Sequence, residues 1–190
     1  MTGSKIVAAL FVATLAMTRA PAADAPNWTV DLAKSKLGFS GTQTGDPFSG
    51  SFTRYDAAIA FDPAHLEASH LAVTVDLASA ATGDPQRDTA LPGDDWFDIA
   101  HFPQASFVSD TIRKKPDGTY EVAGHLMLRG VTRPLTLPFA LDINGTSAHA
   151  KGHATLIRTA FGVGQGQWTT GDYVALEVGV DIDIVATRAK

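Results

Sequence analysis

The chain has 190 residues, of which 45% are hydrophobic and 18% are charged, and its formal net charge is −5 at pH 7. This composition excludes an intrinsically disordered chain, and the length favours one domain with a sizeable core. The acidic balance disfavours nucleic acid as a partner, and the absence of cysteine excludes disulfides and thiol chemistry.

The first element in chain order has the features of an export signal. Lys5 precedes an apolar run at 6–17, and small residues follow at Ala20-Pro21-Ala22. The run is too short to cross a bilayer comfortably, which favours a secretory signal peptide over an uncleaved membrane anchor. We therefore expect residues 1–22 to be a cleaved signal peptide and residues 23–190 to form the mature domain in the periplasm. Cleavage removes Lys5 and Arg19 but no acidic residue, which leaves a net charge of about −7.

Alternation of apolar and polar residues dominates the mature chain. The alternating segments are 28–32, 51–61, 71–78, 120–129, 135–143 and 174–184. A period of two residues predicts half-buried β-strands, and the last two segments are long enough for strands of about ten residues.

Turn signals lie between these segments. Pro116-Asp117-Gly118 and Asn144-Gly145 predict tight turns between neighbouring strands, and 83–91 and 94–98 are the places for one or two short helical turns. About eight strands with one apolar face predict an all-β fold, either a closed antiparallel barrel or a sandwich. An eight-stranded barrel is just wide enough to be filled by side chains or to hold one slender ligand.

Short motifs occur in a fixed order over nearly the whole mature chain. They are 28–31, 35–39, 50–52, 59–62, 82–84, 87–88, 96–98, 102–103, 105–109, GHLMLRGVTRP at 124–134 and RTAFGVG at 158–164. Together they resemble the YceI-like family of periplasmic isoprenoid-binding proteins. The chain departs from the family pattern at Lys34 and at Thr89-Ala90, where histidine is common in the family.

The resemblance implies an extended, lipocalin-like, eight-stranded antiparallel β-barrel that holds an isoprenoid tail in its interior. The expected tail site is the inward face of the strands. It comprises Phe39, Phe52, Leu71, Val73, Val75, Phe107, Leu126, Leu128, Leu137, Phe139, Leu176, Val178 and Val180. The alternative is that these side chains fill the barrel and leave no cavity. Because each buried methylene contributes roughly 0.8 kcal/mol, a long tail needs no single decisive contact.

Three polar residues stand out beside this apolar set. Arg87 and Asp88 either contact a polar headgroup at the barrel mouth or form a structural ion pair that holds the loop, and the ion pair is the favoured interpretation. Arg158 interrupts an apolar segment, so it either points inward to a carbonyl or faces solvent, and base rates favour solvent.

Residues of the types that bind metals or catalyse reactions do not occur at the spacings that such sites require. His149 and His153 on one strand lie roughly 13 Å apart, which is too far for one metal ion. Asp94, Asp95 and Asp98 lack the spacing of a calcium loop, and no Gly-x-Ser-x-Gly motif is present. We expect no catalytic residue, no metal and no cofactor other than the bound cargo.

The expected function is that of a periplasmic carrier for a long-chain isoprenoid lipid or isoprenoid quinone. That lipid or quinone is the expected partner. The resemblance suggests a membrane cytochrome b as a further partner, and the sequence does not decide whether the protein forms a homodimer. The first alternative is a cargo-free interaction module for a membrane cytochrome b. A lipid-modifying enzyme is the other alternative.

Overall fold

The computed structural model describes residues 24–189, which form an antiparallel β-barrel with a few helical turns. The expected signal peptide at 1–22 lies outside the described residues. Within 24–189, no helix combines the length and the apolar character needed to cross a bilayer.

Strands make up most of the described chain. They are β1 (Asn27–Val30), β2 (Lys36–Gln43), β3 (Asp46–Phe52), β4 (Tyr55–Ala60), β5 (His70–Asp76), β6 (Ala80–Ala81), β7 (Gln104–Lys114), β8 (Tyr120–Leu128), β9 (Val131–Asn144), β10 (Ser147–Ile157) and β11 (Glu177–Arg188). The helix α1 (Pro85–Ala90) and 3-10 turns at Leu66–Ala68, Leu77–Ser79, Arg158–Phe161 and Gly166–Trp168 lie between them.

Eight strands close the barrel in the order β1-β4-β5-β7-β8-β9-β10-β11, and β11 pairs back with β1. The same edge of β11 pairs with two different strands. Near its end Arg188 lies opposite Trp28 of β1, and nearer its start Val180 lies opposite Phe39 of β2. The β2–β3 hairpin thereby extends the wall at one end and reaches β6. The expected eight-stranded antiparallel barrel is confirmed, and the sandwich alternative is wrong.

The predicted turns and the predicted helix are also confirmed. β7 and β8 are joined at 115–119, β9 and β10 are joined at 145–146, and α1 falls inside the segment 83–91. The Asp84 carboxylate caps α1 by accepting hydrogen bonds from the Gln86 and Arg87 amides at 2.9 and 3.0 Å. A capping carboxylate followed by proline in the first turn is a strong helix start.

One predicted strand is divided in two. The alternation at 51–61 runs through β3 and β4, but the chain leaves the sheet at Thr53 and Arg54. The Thr53 amide donates a hydrogen bond to the Ser79 carbonyl at 3.3 Å. The Arg54 amide donates one to the Ser79 hydroxyl oxygen at 3.1 Å. The 3-10 turn at Leu77–Ser79 thus satisfies the donors that a continuous strand would give to a neighbour.

Aromatic side chains fill the end of the barrel near β1, which we call the lower end. Trp28 Nε1 donates a hydrogen bond to the Phe61 carbonyl at 2.9 Å. The Tyr120 ring stacks on Phe139 at 5.5 Å and meets Phe61 edge-on at 5.6 Å. Because all four residues are buried, they form a floor that closes this end.

The opposite, upper end carries α1 and the loop 162–176, which a buried arginine holds in place. The Arg158 side chain is almost fully buried, with 2% of the residue exposed. Its guanidinium donates to the carbonyls of Ala175, Val163, Trp168, Thr170 and Val174 at 2.6–3.1 Å. The expectation that Arg158 faces solvent is wrong, because these backbone acceptors replace water around the charge.

Replacing Arg158 with methionine keeps much of the aliphatic volume but removes every donor to these carbonyls. A buried polar group without a partner costs about 1–3 kcal/mol, so we expect the free energy of unfolding to fall by about 3 kcal/mol or more. Urea denaturation followed by tryptophan fluorescence measures the change. Arg113→Met, at an exposed position of β7, is the matched control and should change it by less than about 0.5 kcal/mol. Equal losses in the two variants would contradict the role of Arg158.

Candidate ligand-binding cavity

The barrel encloses an apolar cavity of about 300 Å³ in its upper half, which we call the upper chamber. Side chains from β2, β3, β5, β7, β8, β9, β10 and β11 line its wall. Gln43 and Phe48 of the β2–β3 hairpin, Gln86 and Arg87 of α1, and Trp168 of the loop surround its mouth. The mouth is therefore built from three separate segments of the chain.

A second apolar cavity of about 150 Å³, the lower chamber, lies between the upper chamber and the floor. Five residues line both chambers, and each belongs to a different strand. We call this set the dividing ring; it consists of Leu37, Val73, Phe107, Leu137 and Ile182. Since the ring belongs to both walls, the two chambers adjoin along the barrel axis.

Glycines next to phenylalanine rings help to keep the interior open. The pairs are Phe39 with Gly50, Phe48 with Gly41, and Phe107 with Gly124. A Cβ on Gly124 would lie 2.7 Å from Cζ of Phe107, and one on Gly50 would lie 2.7 Å from Cε1 of Phe39. Each ring thus rests against a strand at a place where only glycine leaves room. Any larger residue would clash with the ring, and at Gly124 it would also clash with the Val108 carbonyl oxygen.

The structure places twelve of the thirteen predicted tail-site residues in the chamber walls. Phe39, Phe52, Val75, Leu126, Leu128, Val178 and Val180 line the upper chamber, Leu71 and Phe139 line the lower, and Val73, Phe107 and Leu137 line both. Leu176 lines neither chamber. It lies in the loop before β11 and packs near Gly171, so the alternation of the strand does not extend to it.

Several lining residues were not predicted. Leu37 lies two positions before Phe39 on the same strand, so the alternation could have found it. Trp96 and Trp168, whose rings are 5.5 Å apart, line the upper chamber from loops that carry no periodic pattern. Gln43 lies at the tip of the β2–β3 hairpin, where no pattern singles it out either.

Arg87 is the charged residue at the mouth, and it is held by several partners. Its guanidinium donates to Gln43 Oε1 at 3.1 Å and to Thr82 Oγ1 at 3.3 Å, and it lies 3.5 Å from the Asp84 carboxylate. It also covers the Phe48 ring at 4.8 Å. Arg87 therefore lines the upper chamber as a cation that is held in place and already paired with a carboxylate.

The favoured ion pair between Arg87 and Asp88 is not formed. Asp88 lines neither chamber and accepts hydrogen bonds from the Thr82 hydroxyl and amide, both at 2.7 Å. The hydroxyl bond contributes most to holding the pKa of the Asp88 carboxyl below its ordinary value, and the amide bond comes next. The two residues still fix the same loop, because Thr82 bonds to both.

The chamber walls contain no histidine and no carboxylate among the described residues. Their polar side chains are Gln43, Gln86, Arg87, Ser106 and Arg158 above, and Tyr55 below. His149 and His153 lie on the outer face of β10, where they contact Asp183 and Asp181 at 2.6 and 2.7 Å. Over residues 24–189, no three metal-ligating side chains come together.

Fold and interior define a class of protein, the small closed β-barrels whose interior can accommodate one slender apolar ligand. The chain matches the family model of the YceI-like domain over residues 28–186. It is also 31% identical over 155 residues to a UPF0312 protein of Pseudomonas savastanoi pv. phaseolicola, which covers 78% of this chain and 77% of the relative. The chain therefore belongs to the YceI-like family, as the sequence motifs predict.

Solved structures share the barrel. BcnA of Burkholderia cenocepacia is 36% identical with a TM-score of 0.80, and the match covers 84% of this chain and 100% of that one. A polyisoprenoid binding domain from Saccharophagus degradans, implicated in plant cell wall breakdown, has a TM-score of 0.65 over 86% of this chain and 99% of its own. At 13% identity, the second likeness shows the common fold.

Thr82→Val removes the hydroxyl that donates to Asp88. A carboxyl whose pKa is lowered by folding stabilises the protein above its ordinary pKa of about 3.8, and this contribution disappears as the pH falls through the folded pKa. We expect the NMR titration midpoint of Asp88 to move up toward its ordinary value in the variant. The stability difference from wild type should be largest near neutral pH and should shrink in acid.

Thr136→Val, at an exposed position of β9, is the control and should leave the Asp88 titration unchanged. An Asp88 midpoint that is the same in wild type and in Thr82→Val would contradict the assigned hydrogen bond.

Proposed function

We propose that this protein binds an isoprenoid lipid or an isoprenoid quinone inside the barrel and serves as a periplasmic carrier or store for it. The observation that carries the proposal is the pair of adjoining apolar chambers within a closed wall. A hydrocarbon chain gains roughly 0.8 kcal/mol for each methylene that leaves water, so these walls favour such a ligand without a specific motif.

The polar groups at the mouth favour an uncharged headgroup. Arg87 and Gln43 present nitrogen donors there, but the Asp84 carboxylate already balances the arginine charge. A quinone carbonyl or a hydroxyl can accept a hydrogen bond from such a site. A phosphate would bring two negative charges close to Asp84, which opposes its binding.

Two findings favour an isoprenoid over other apolar ligands. The stacked chambers suit a narrow, linear chain, and the Saccharophagus degradans protein with the same fold is named for polyisoprenoid binding. The periplasmic location is proposed on the pattern of residues 1–22 alone.

The alternatives fit the interior less well. A cargo-free interaction module needs no cavity, whereas this barrel has two chambers. A lipid-modifying enzyme most often uses a histidine or a carboxylate as general acid or base beside its substrate, and the described chamber walls have neither, although Tyr55 lines the lower chamber. A membrane cytochrome b as a partner and a homodimer stay predictions.

Val75→Trp tests the proposal, because Val75 lines the upper chamber and an indole there displaces part of the ligand. Loss of contact with about two methylenes weakens binding roughly tenfold. We expect the Kd for a ubiquinone with two isoprenoid units, measured by calorimetry on delipidated protein, to rise at least tenfold.

The matched control is Val108→Trp, since Val108 of β7 is 51% exposed on the outside of the barrel. It should bind the quinone like wild type. Native mass spectrometry of the mildly purified wild type should also show a bound isoprenoid. A wild-type protein that carries no lipid and takes up no quinone would refute the proposed function.

A further inference from the structure

A groove on the outside of the barrel is larger than either chamber, with a volume of about 680 Å³. It crosses β9, β10, β11 and β2, and it extends from the turn between β7 and β8 at one side to β3 at the other. Gly38 and Gly152 belong to its lining, and their lack of side chains leaves the groove open there. The shape therefore suits a chain-like molecule that lies across the strands.

Lysines from three distant parts of the chain line this outer groove. They are Lys36 of β2, Lys115 of the turn after β7 and Lys151 of β10, which makes three of the five lysines among residues 24–189. Lys36 and Lys151 lie on opposite sides of Asp183 of β11 in the strand register. Their Cα atoms are thus two strand spacings apart, about 10 Å. A chain with a net negative charge thereby gathers most of its described lysines in one place.

Two aspartates of β11 that lie between these lysines already have partners. Asp181 lies 2.7 Å from Nδ1 of His153. Asp183 lies 2.6 Å from Nε2 of His149 and 3.1 Å from Nζ of Lys151. Because each carboxylate already has a partner, neither depends on a ligand to satisfy it.

The lysines, in contrast, keep unused donors. Lys36 forms no ion pair within residues 24–189, and Nζ of Lys115 lies 3.9 Å from the Asp117 carboxylate, which is a long contact. Asp117 is meanwhile bonded to the Thr119 amide and hydroxyl at 3.0 and 2.6 Å. Since each ammonium group has three N–H donors, the groove has donors in excess and favours a ligand that brings negatively charged acceptors.

The shape and the mixed lining favour an acidic oligosaccharide among the anionic ligands. A flat bilayer reaches the rim of a groove but not its floor. A peptide finds no free strand edge, because β10, β11 and β2 are each paired on both sides. A polyphosphate carries a charge on every unit and is repelled by the aspartates between the lysines. A uronic acid sugar brings one carboxylate together with hydroxyls that can donate to those aspartates.

We propose that the outer groove binds an oligosaccharide of uronic acids, whose carboxylates pair with Lys36, Lys115 and Lys151. The sugar hydroxyls bond to the aspartates of the groove and to Ser49 and Thr119, which also line it. The barrel wall separates this site from the apolar chambers, so it is a second binding site that works independently of the interior.

Calorimetry with hexagalacturonic acid tests this site. We expect the double variant Lys36→Gln/Lys151→Gln to bind it at least fivefold more weakly than wild type, because two of the three cations are lost. Lys34→Gln/Lys114→Gln is the matched control, since it removes the same charge from two lysines that lie outside the groove. It should bind within twofold of wild type, and the neutral maltohexaose should not bind to any of these proteins.

Gly38→Val tests the shape of the groove without a change in charge. A Cβ at this position would lie 3.5 Å from Cβ of Asp181, which is an ordinary contact, so the strand can accept it. The branched side chain then occupies space in the groove. We expect hexagalacturonic acid to bind at least fivefold more weakly, with no change in its affinity for the Lys34→Gln/Lys114→Gln control.

The outcomes distinguish this proposal from its alternatives. Equal losses in the two double variants, an unchanged affinity in Gly38→Val, or a wild type that does not bind hexagalacturonic acid would overturn it. Tighter binding of polyphosphate or of phosphatidylglycerol vesicles through the same lysines would overturn it too, because the groove would then serve another anion. A protein that binds the oligosaccharide but no quinone would support this site and refute only the proposed function.

Discussion

The pairing of β11 with two different strands is the constraint on which the rest of the structure depends. The lower part of β11 closes the ring through β1, and its upper part carries the β2–β3 hairpin. Without the first pairing, the sheet would have free edges and no interior. Without the second, the upper chamber would lose the side of its wall that holds Leu37, Phe39 and Phe52.

A closed wall still needs different ends if a ligand is to enter and stay. The lower end is sealed by aromatic packing, in which Trp28 Nε1 donates a hydrogen bond to the Phe61 carbonyl. The upper end is spanned by an irregular loop, and Arg158 donates hydrogen bonds from inside to the Trp168, Thr170 and Val174 carbonyls of that loop. The buried arginine thus allows non-periodic backbone to lie over an apolar cavity at low cost.

Much of the wall could be predicted from the sequence, because side chains alternate strictly along a strand. Leu71, Val73 and Val75 follow that rule from the lower chamber to the upper one. The rule ends where the strand ends, which explains why Leu176 was misplaced. The burial of Arg158 could not be predicted for another reason. Most arginines are exposed, and the carbonyls that accept from this one lie up to 17 residues downstream, where only the fold brings them close. Trp168 and Gln43 depend likewise on tertiary contacts, such as the bridge between Gln43 and Val174.

Whether the barrel is filled or hollow could not be decided from periodicity. A period of two shows which side chains face the interior, but not how much space they leave empty there. The volume depends on which small residues face which large ones across neighbouring strands. Gly124 lets Phe107 rest against the wall, and Ala150 leaves space between Leu141 and Ile184. An apolar interior that is not filled by its own side chains forgoes dispersion contacts that a packed core would have. A ligand tail restores those contacts, so the same glycines and alanines that weaken the empty barrel favour the occupied one.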